Sequence, residues 1–224
     1  MVTLKMAIIF LMEQIRTPFS LIWTIMSPTV LFFFLHFNEI ELHYGDTAWL
    51  GKQISWFVGY ISFSVVLFNY CLYLVGRRES GFIATFVHNM DGRLLFIRSQ
   101  LIASLIMSIL YVFFFILVVL TGFQASPDYQ IVMIILKSIY INAFMMVSLT
   151  FMASFRVTFQ TASTIYSVLI TVCMVSGIVS LKYNEGIVYW INQVNPIAIY
   201  STILQSDQEL SLMTIFFYSI MLII

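Results

Sequence analysis

Apolar residues occur along this chain in blocks of about 20, the length a helix needs to cross a hydrocarbon core of about 30 Å, with short polar connectors between them. The pattern predicts six membrane-crossing helices, at about Pro18 to Phe37, Ile54 to Val75, Leu94 to Leu120, Tyr129 to Ala153, Thr161 to Leu181 and Leu210 to Ile224. The expected fold class is an all-α integral membrane protein, with 1–224 forming one transmembrane domain. Ser27 and Pro28 interrupt the first span, and a kink is expected near Met26, because proline leaves an earlier carbonyl without its N–H. The last span holds 15 residues, about 22 Å at 1.5 Å per residue, so either that helix is short or the sequence lacks its native tail.

Three other segments break the pattern. Residues 1–16 carry Leu4, Ile8, Leu11 and Ile15 at helical spacing, with Lys5, Glu13, Gln14 and Arg16 towards the ends, which predicts an interfacial helix rather than a span. Ile187 to Leu204 is largely apolar, yet Asn192, Gln193, Asn195 and Pro196 sit together in its middle. That stretch is expected to be broken and partly re-entrant, a geometry allowed only where protein or water covers the free backbone. Within Glu79 to Asp91, the residues Phe82, Ile83, Phe86, Val87 and Met90 recur on one helical face, predicting a short amphipathic helix with Ser80 as its N-cap and Gly92 as its stop.

Charge sharpens this picture. Only 9% of the 224 residues are charged and 61% are hydrophobic, against roughly 25% charged in an average soluble domain. Ten basic residues balance ten acidic ones, so nothing advertises a nucleic-acid partner. Six spans of about 20 residues leave about 100 for all connectors, too few for a soluble domain. With the N-terminus in the cytoplasm, Lys5, Arg16, Arg77, Arg78, Arg93, Arg98 and Arg156 fall inside, and Lys52 and Lys182 outside, the bias expected of a multi-pass protein in that orientation. A cleaved signal peptide is not expected, since no small-residue cleavage site follows a short apolar core.

The basic connector after the second span admits two readings. Its amphipathic helix lies on the headgroups, with Arg77, Arg78, Arg93 and Arg98 at the lipid phosphates, or its apolar face docks into a groove on a cytoplasmic partner. Arg78-Glu79-Ser80-Gly81 resembles the Arg-Glu-x-Gly motif that follows the second span in the permease subunit of type-2 ABC transporters, an exporter class whose ATPase is a separate chain. The amphipathic stretch after it is similar to that family's coupling helix, and Asn195-Pro196-Ile197-Ala198-Ile199-Tyr200 is similar to its Asn-Pro-apolar element before the last span. The chain departs from the family pattern at Phe82, where threonine is usual, at His88-Asn89-Met90, where a proline often stands, and in lacking a basic tail.

This resemblance implies a transmembrane subunit of an ATP-driven exporter in the cell membrane, moving an amphipathic or hydrophobic substrate such as a peptide, drug or lipid-like molecule. Two ATPase subunits carrying ATP and Mg would dock on Arg78, Glu79, Gly81, Phe82, Ile83, Phe86, Val87 and Met90 of two permease copies, a homodimer or a heterodimer, surrounded by membrane lipid. Asn195, Pro196 and Tyr200 would form a re-entrant gate, and Phe33, Phe57, Phe63, Asn69 and Tyr166 would line the pathway. No Gly-x-x-x-x-Gly-Lys-Ser/Thr loop occurs in the chain, so no cofactor is expected on it and ATP hydrolysis belongs to the partner.

Other chemistry is thin. The chain shows no zinc-protease helix and no nucleophile elbow, so it is not expected to be an enzyme. Cys71 and Cys173 lie in apolar runs without metal or disulfide spacing. His36 and His43 flank an acidic loop in which a solvated role is favoured over metal binding with Glu39 or Glu41. Lys137 in the fourth span would cost about 2.5–3.5 kcal/mol at mid-bilayer and is expected to snorkel to the outer interface. Asn69 and Asn142 are expected to bond between helices. Two competing functions remain: a self-sufficient ion-coupled carrier, and an accessory or immunity protein that binds a toxic peptide without moving it.

Overall fold

The computed structural model describes residues 2–16, 18–83, 89–151, 155–182 and 185–205, with backbone alone for 18–23, 181–182 and 187. All regular structure among them is helical. The elements are α1 (Val2–Ile15), α2 (Pro18–Leu35), α3 (Thr47–Glu79), α4 (Met90–Gly122), α5 (Tyr129–Leu149), α6 (Phe159–Lys182), α7 (Gly186–Val194) and α8 (Pro196–Gln205). Four of these, α3 to α6, contain stretches long and apolar enough to cross a membrane. The predicted last span, at 210–224, lies outside the described residues.

Several boundaries differ from the sequence pattern. The second span begins at Thr47 rather than Ile54, because Asp46 caps the helix by accepting a 3.0 Å bond from the Trp49 amide. The third begins at Met90 rather than Leu94, so Gly92, expected to stop a short helix, instead sits in the first turn of a long one. Ser80, expected to start that short helix, ends α3: its amide bonds the Gly76 carbonyl at 2.9 Å. Gly81 then turns the chain at φ +73°, a conformation costly for other residues. Helix α2 continues through Pro28.

Helix α3 is the central element, packing against α2, α4, α5, α6 and α8. Phe57 on α3, Phe32 on α2 and Phe115 on α4 form an aromatic core, with Phe32 ring centroids 5.0 Å and 5.7 Å from its two neighbours. Gly59 gives α8 its approach: a Cβ there would lie 3.1 Å from the Ile197 carbonyl oxygen and 3.0 Å from Tyr200 Cβ. Polar side chains meet between the helices. Asn142 of α5 donates to Ser62 of α3 at 3.2 Å and to Ser108 of α4 at 2.5 Å, and accepts from the Tyr200 hydroxyl of α8 at 2.6 Å. One buried carboxamide thus ties four helices, satisfying groups that would be costly in hydrocarbon.

Over Val65–Leu72, α3 widens into a π-helical stretch, a geometry that recurs at functional sites. The Asn69 carbonyl there accepts from Gln100 Nε2 at 2.9 Å and Ser104 Oγ at 3.2 Å, both from α4. Lys137, expected to snorkel, is 7% exposed, and its ammonium donates to the Leu204 carbonyl at 3.3 Å. A cation at the C-terminal turn of α8 is electrostatically favourable.

Candidate functional site: the arginine–glutamate junction

Consecutive helix positions point about 100° apart, so Arg77 and Arg78 at the end of α3 reach different neighbours. Arg77 turns to α1, where its guanidinium pairs with Glu13; the same Glu13 oxygen accepts from the Tyr73 hydroxyl at 2.7 Å. The Arg77 guanidinium lies 4.9 Å from the Tyr73 ring centroid and 5.1 Å from that of Phe82, a cation–π contact with each ring. Arg78 turns to the α5–α6 connector. It donates to the Phe155 carbonyl and, at 2.5 Å, to the Val157 carbonyl.

Glu79 completes the junction by accepting from the Phe159 amide, the first residue of α6. A carboxylate at a helix N-terminus satisfies a free N–H and complements the dipole. Gly76 leaves room beside it, since a Cβ there would meet the Phe159 ring at 3.1 Å. The Arg-Glu dipeptide therefore joins the end of α3 to the start of α6, two elements separated by about 80 residues in sequence.

The predicted docking residues divide at this point. Arg78, Glu79, Gly81 and Phe82 are gathered in the junction, Phe82 packing on Phe96 with centroids 5.9 Å apart. Ile83 is half-buried against the core. Phe86 and Val87 lie outside the described residues, and Met90, 72% exposed, begins α4. The expected helix over 79–91 thus has neither of its predicted ends, because Glu79 belongs to α3 and Met90 and Asp91 belong to α4.

Beside the junction lies a cavity of about 310 Å³ lined by Glu13, Gln14, Phe68, Asn69, Tyr111 and Phe159, among others. Asn69, a predicted pathway residue, is half-buried in its wall and donates to the Tyr111 hydroxyl at 3.4 Å. The other four sit elsewhere. Phe57, Phe63 and Tyr166 are buried within the bundle, and Phe33 stacks on Phe123 at 6.2 Å.

Asn195, Pro196 and Tyr200 form a separate cluster. Asn195 breaks the chain between α7 and α8, donating to the Cys173 carbonyl at 2.8 Å and Ser176 at 3.1 Å, while its Oδ1 accepts from the Ile197 amide at 3.0 Å. Pro196 starts α8, where its missing N–H costs nothing. Tyr200 is buried on Asn142.

At the opposite end, His36 bonds Glu39 at 2.6 Å, and His43 bonds Asp46 at 3.2 Å while stacking on Trp49 at 4.2 Å. The Trp49 amide, followed by the His43 ring, holds the Asp46 carboxyl below the usual carboxylate range. No group of three metal-ligating side chains occurs among the described residues.

The sequence pattern passed over Glu13 and Tyr73 as members of this junction. The one signal was Glu13 itself, an acid on the segment that the charge count places with the basic connectors. No protein-family model matches the chain, and no solved structure matches it.

Proposed function

We propose that this chain is the membrane subunit of an ATP-driven exporter of the type-2 ABC class, paired with a second permease copy and coupled to two separate ATPase subunits. The observation carrying this reading is the junction. The chain leaves the Arg78–Glu79 anchor through Gly81 into the segment that the sequence resemblance identifies as the ATPase-docking helix. A displacement there would be transmitted to α3, through its own backbone, and to α6, through the bonds to Phe155, Val157 and Phe159.

On this reading α2 and the 210–224 segment complete six spans. The N-terminus is cytoplasmic in the cell membrane, and α7–α8 forms the re-entrant gate. The exposed face of α6 carries Thr164, Ser167 and Thr171 among apolar Ile165, Val168, Leu169 and Val172, hydroxyl-bearing residues of the kind that let membrane helices approach closely. That face suits the second copy. ATP binding would bias the pair between two arrangements, moving a substrate with substantial apolar surface past Asn69.

The test is reconstitution. Purified alone in nanodiscs, the chain should hydrolyse no ATP. Co-expressed with an ATPase encoded beside it, it should yield a two-plus-two complex that hydrolyses Mg-ATP and moves substrate in vesicles. Transport by the chain alone, driven by an ion gradient without nucleotide, would instead establish the carrier.

A further inference from the structure

A second cavity, of about 400 Å³, opens where α3 and α5 begin and α8 ends. Its described lining carries two ammonium groups, Lys52 and Lys137, two carboxamides, Gln130 and Gln205, and no carboxylate. Lys137 lies eight residues into α5, about 12 Å along the axis. Basic side chains at such depth are rare and mark ion or ligand positions by default.

The surroundings are arranged to keep these groups in place. Gly51 admits the Gln130 amide, whose Oε1 would lie 3.3 Å from a Cβ at that position. Gln205 is held by the Lys52 carbonyl at 3.3 Å and by Ser201 at 3.2 Å. Among the described residues, Asp46 and Asp128, the acids that precede α3 and α5, are engaged in capping those helices and do not line the cavity. Met133, Ile134 and Leu204 make part of the wall apolar, beside Ser55, whose hydroxyl is turned to the Gly51 carbonyl at 2.7 Å, and Tyr129 in the lining is 74% exposed, a residue type enriched at headgroup level.

We propose that this cavity binds the phosphate of an anionic lipid, with Lys52 and Lys137 pairing the charge and the Met133–Ile134 wall taking the start of an acyl chain. A phosphate-bearing soluble anion shares the charge chemistry but would have no use for that wall. The inference is independent of the exporter reading.

The test uses the full chain, delipidated in detergent and reconstituted in nanodiscs of phosphatidylcholine with phosphatidylglycerol. Co-purifying lipid is counted by native mass spectrometry. Wild type should retain phosphatidylglycerol preferentially, and Lys52→Gln, at an exposed position that does not threaten folding, should cut the preference about fivefold. Lys137→Met should do the same, Lys137→Arg should preserve it, and Lys5→Gln, which removes an equal charge elsewhere, should leave it intact. Millimolar inorganic phosphate should not displace the lipid. Equal retention of the two lipids by wild type, an unchanged preference in Lys52→Gln, or displacement by inorganic phosphate would overturn the proposal.

Discussion

The Tyr200 hydroxyl donates a 2.6 Å hydrogen bond to the side-chain oxygen of Asn142, joining the short helix after the Asn195–Pro196 break to the centre of the bundle. Both residues are buried. Tyr200→Phe removes the donor and leaves the carboxamide oxygen short of a partner, which should cost about 1 kcal/mol, the scale of interhelical bonds in membranes. Thermal unfolding in detergent of Tyr200→Phe, Asn142→Ala and the double variant forms a cycle. A coupling near zero would mean the bond does not hold α8 to α5.

Gly59 makes the same docking sterically possible. Gly59→Val would force side-chain atoms against the Ile197 carbonyl and Tyr200, and overpacking of this kind typically costs about 1–3 kcal/mol. A lowered Tm is expected, together with faster amide exchange across 196–205. Unchanged exchange there would mean α8 does not rest on Gly59.

Much of this architecture is legible in the sequence and some is not, for identifiable reasons. The spans α4, α5 and α6 declare themselves by length and apolar content, and the break at Asn195–Pro196 by polar residues no lipid-facing helix would carry. The Asn142 network is hidden because its partners Ser62, Ser108 and Tyr200 lie 80, 34 and 58 positions away, and serine in a membrane helix is common. The acceptors of Arg78 and Lys137 are backbone carbonyls, which every residue possesses and no pattern marks. For the same reason the Arg-Glu dipeptide reads as a motif while its target, 155–159, does not. Nothing in the residues of Val65–Leu72, Asn69 included, marks a π-helical stretch.

Arg78 should be hard to replace. Arg78→Ala frees the Phe155 and Val157 carbonyls, a local loss of about 1 kcal/mol at a half-exposed position. Lysine offers one ammonium where the guanidinium fork reaches two oxygens, so Arg78→Lys should rescue only part. Amide exchange over 155–162 reads this directly and should rise in the order wild type, Lys, Ala. If the chain works as the proposed exporter subunit, Arg78→Ala should retain the ATPase but lose transport per ATP hydrolysed.

Acid should loosen the other end. Because the Asp46 carboxyl titrates below its ordinary value of about 3.9, its contribution is fully present above that value and is lost as pH falls through the lower folded one. The Trp49 amide resonance should therefore shift only below about pH 4. Asp46→Asn, which still caps the helix, should abolish that titration while keeping the native shift. A Trp49 amide that titrates equally in both proteins would refute the assignment.

The central proposal is that the segment after Gly81 receives an ATPase, and the most direct measurement is a pull-down of a co-expressed ATPase with variants of this chain that remain folded by their unfolding transitions. Phe86→Asp and the Phe82→Asp, Phe86→Asp pair should lose the ATPase while Trp190→Asp, at an exposed position on α7, should retain it. Full retention by the folded double variant would contradict the account.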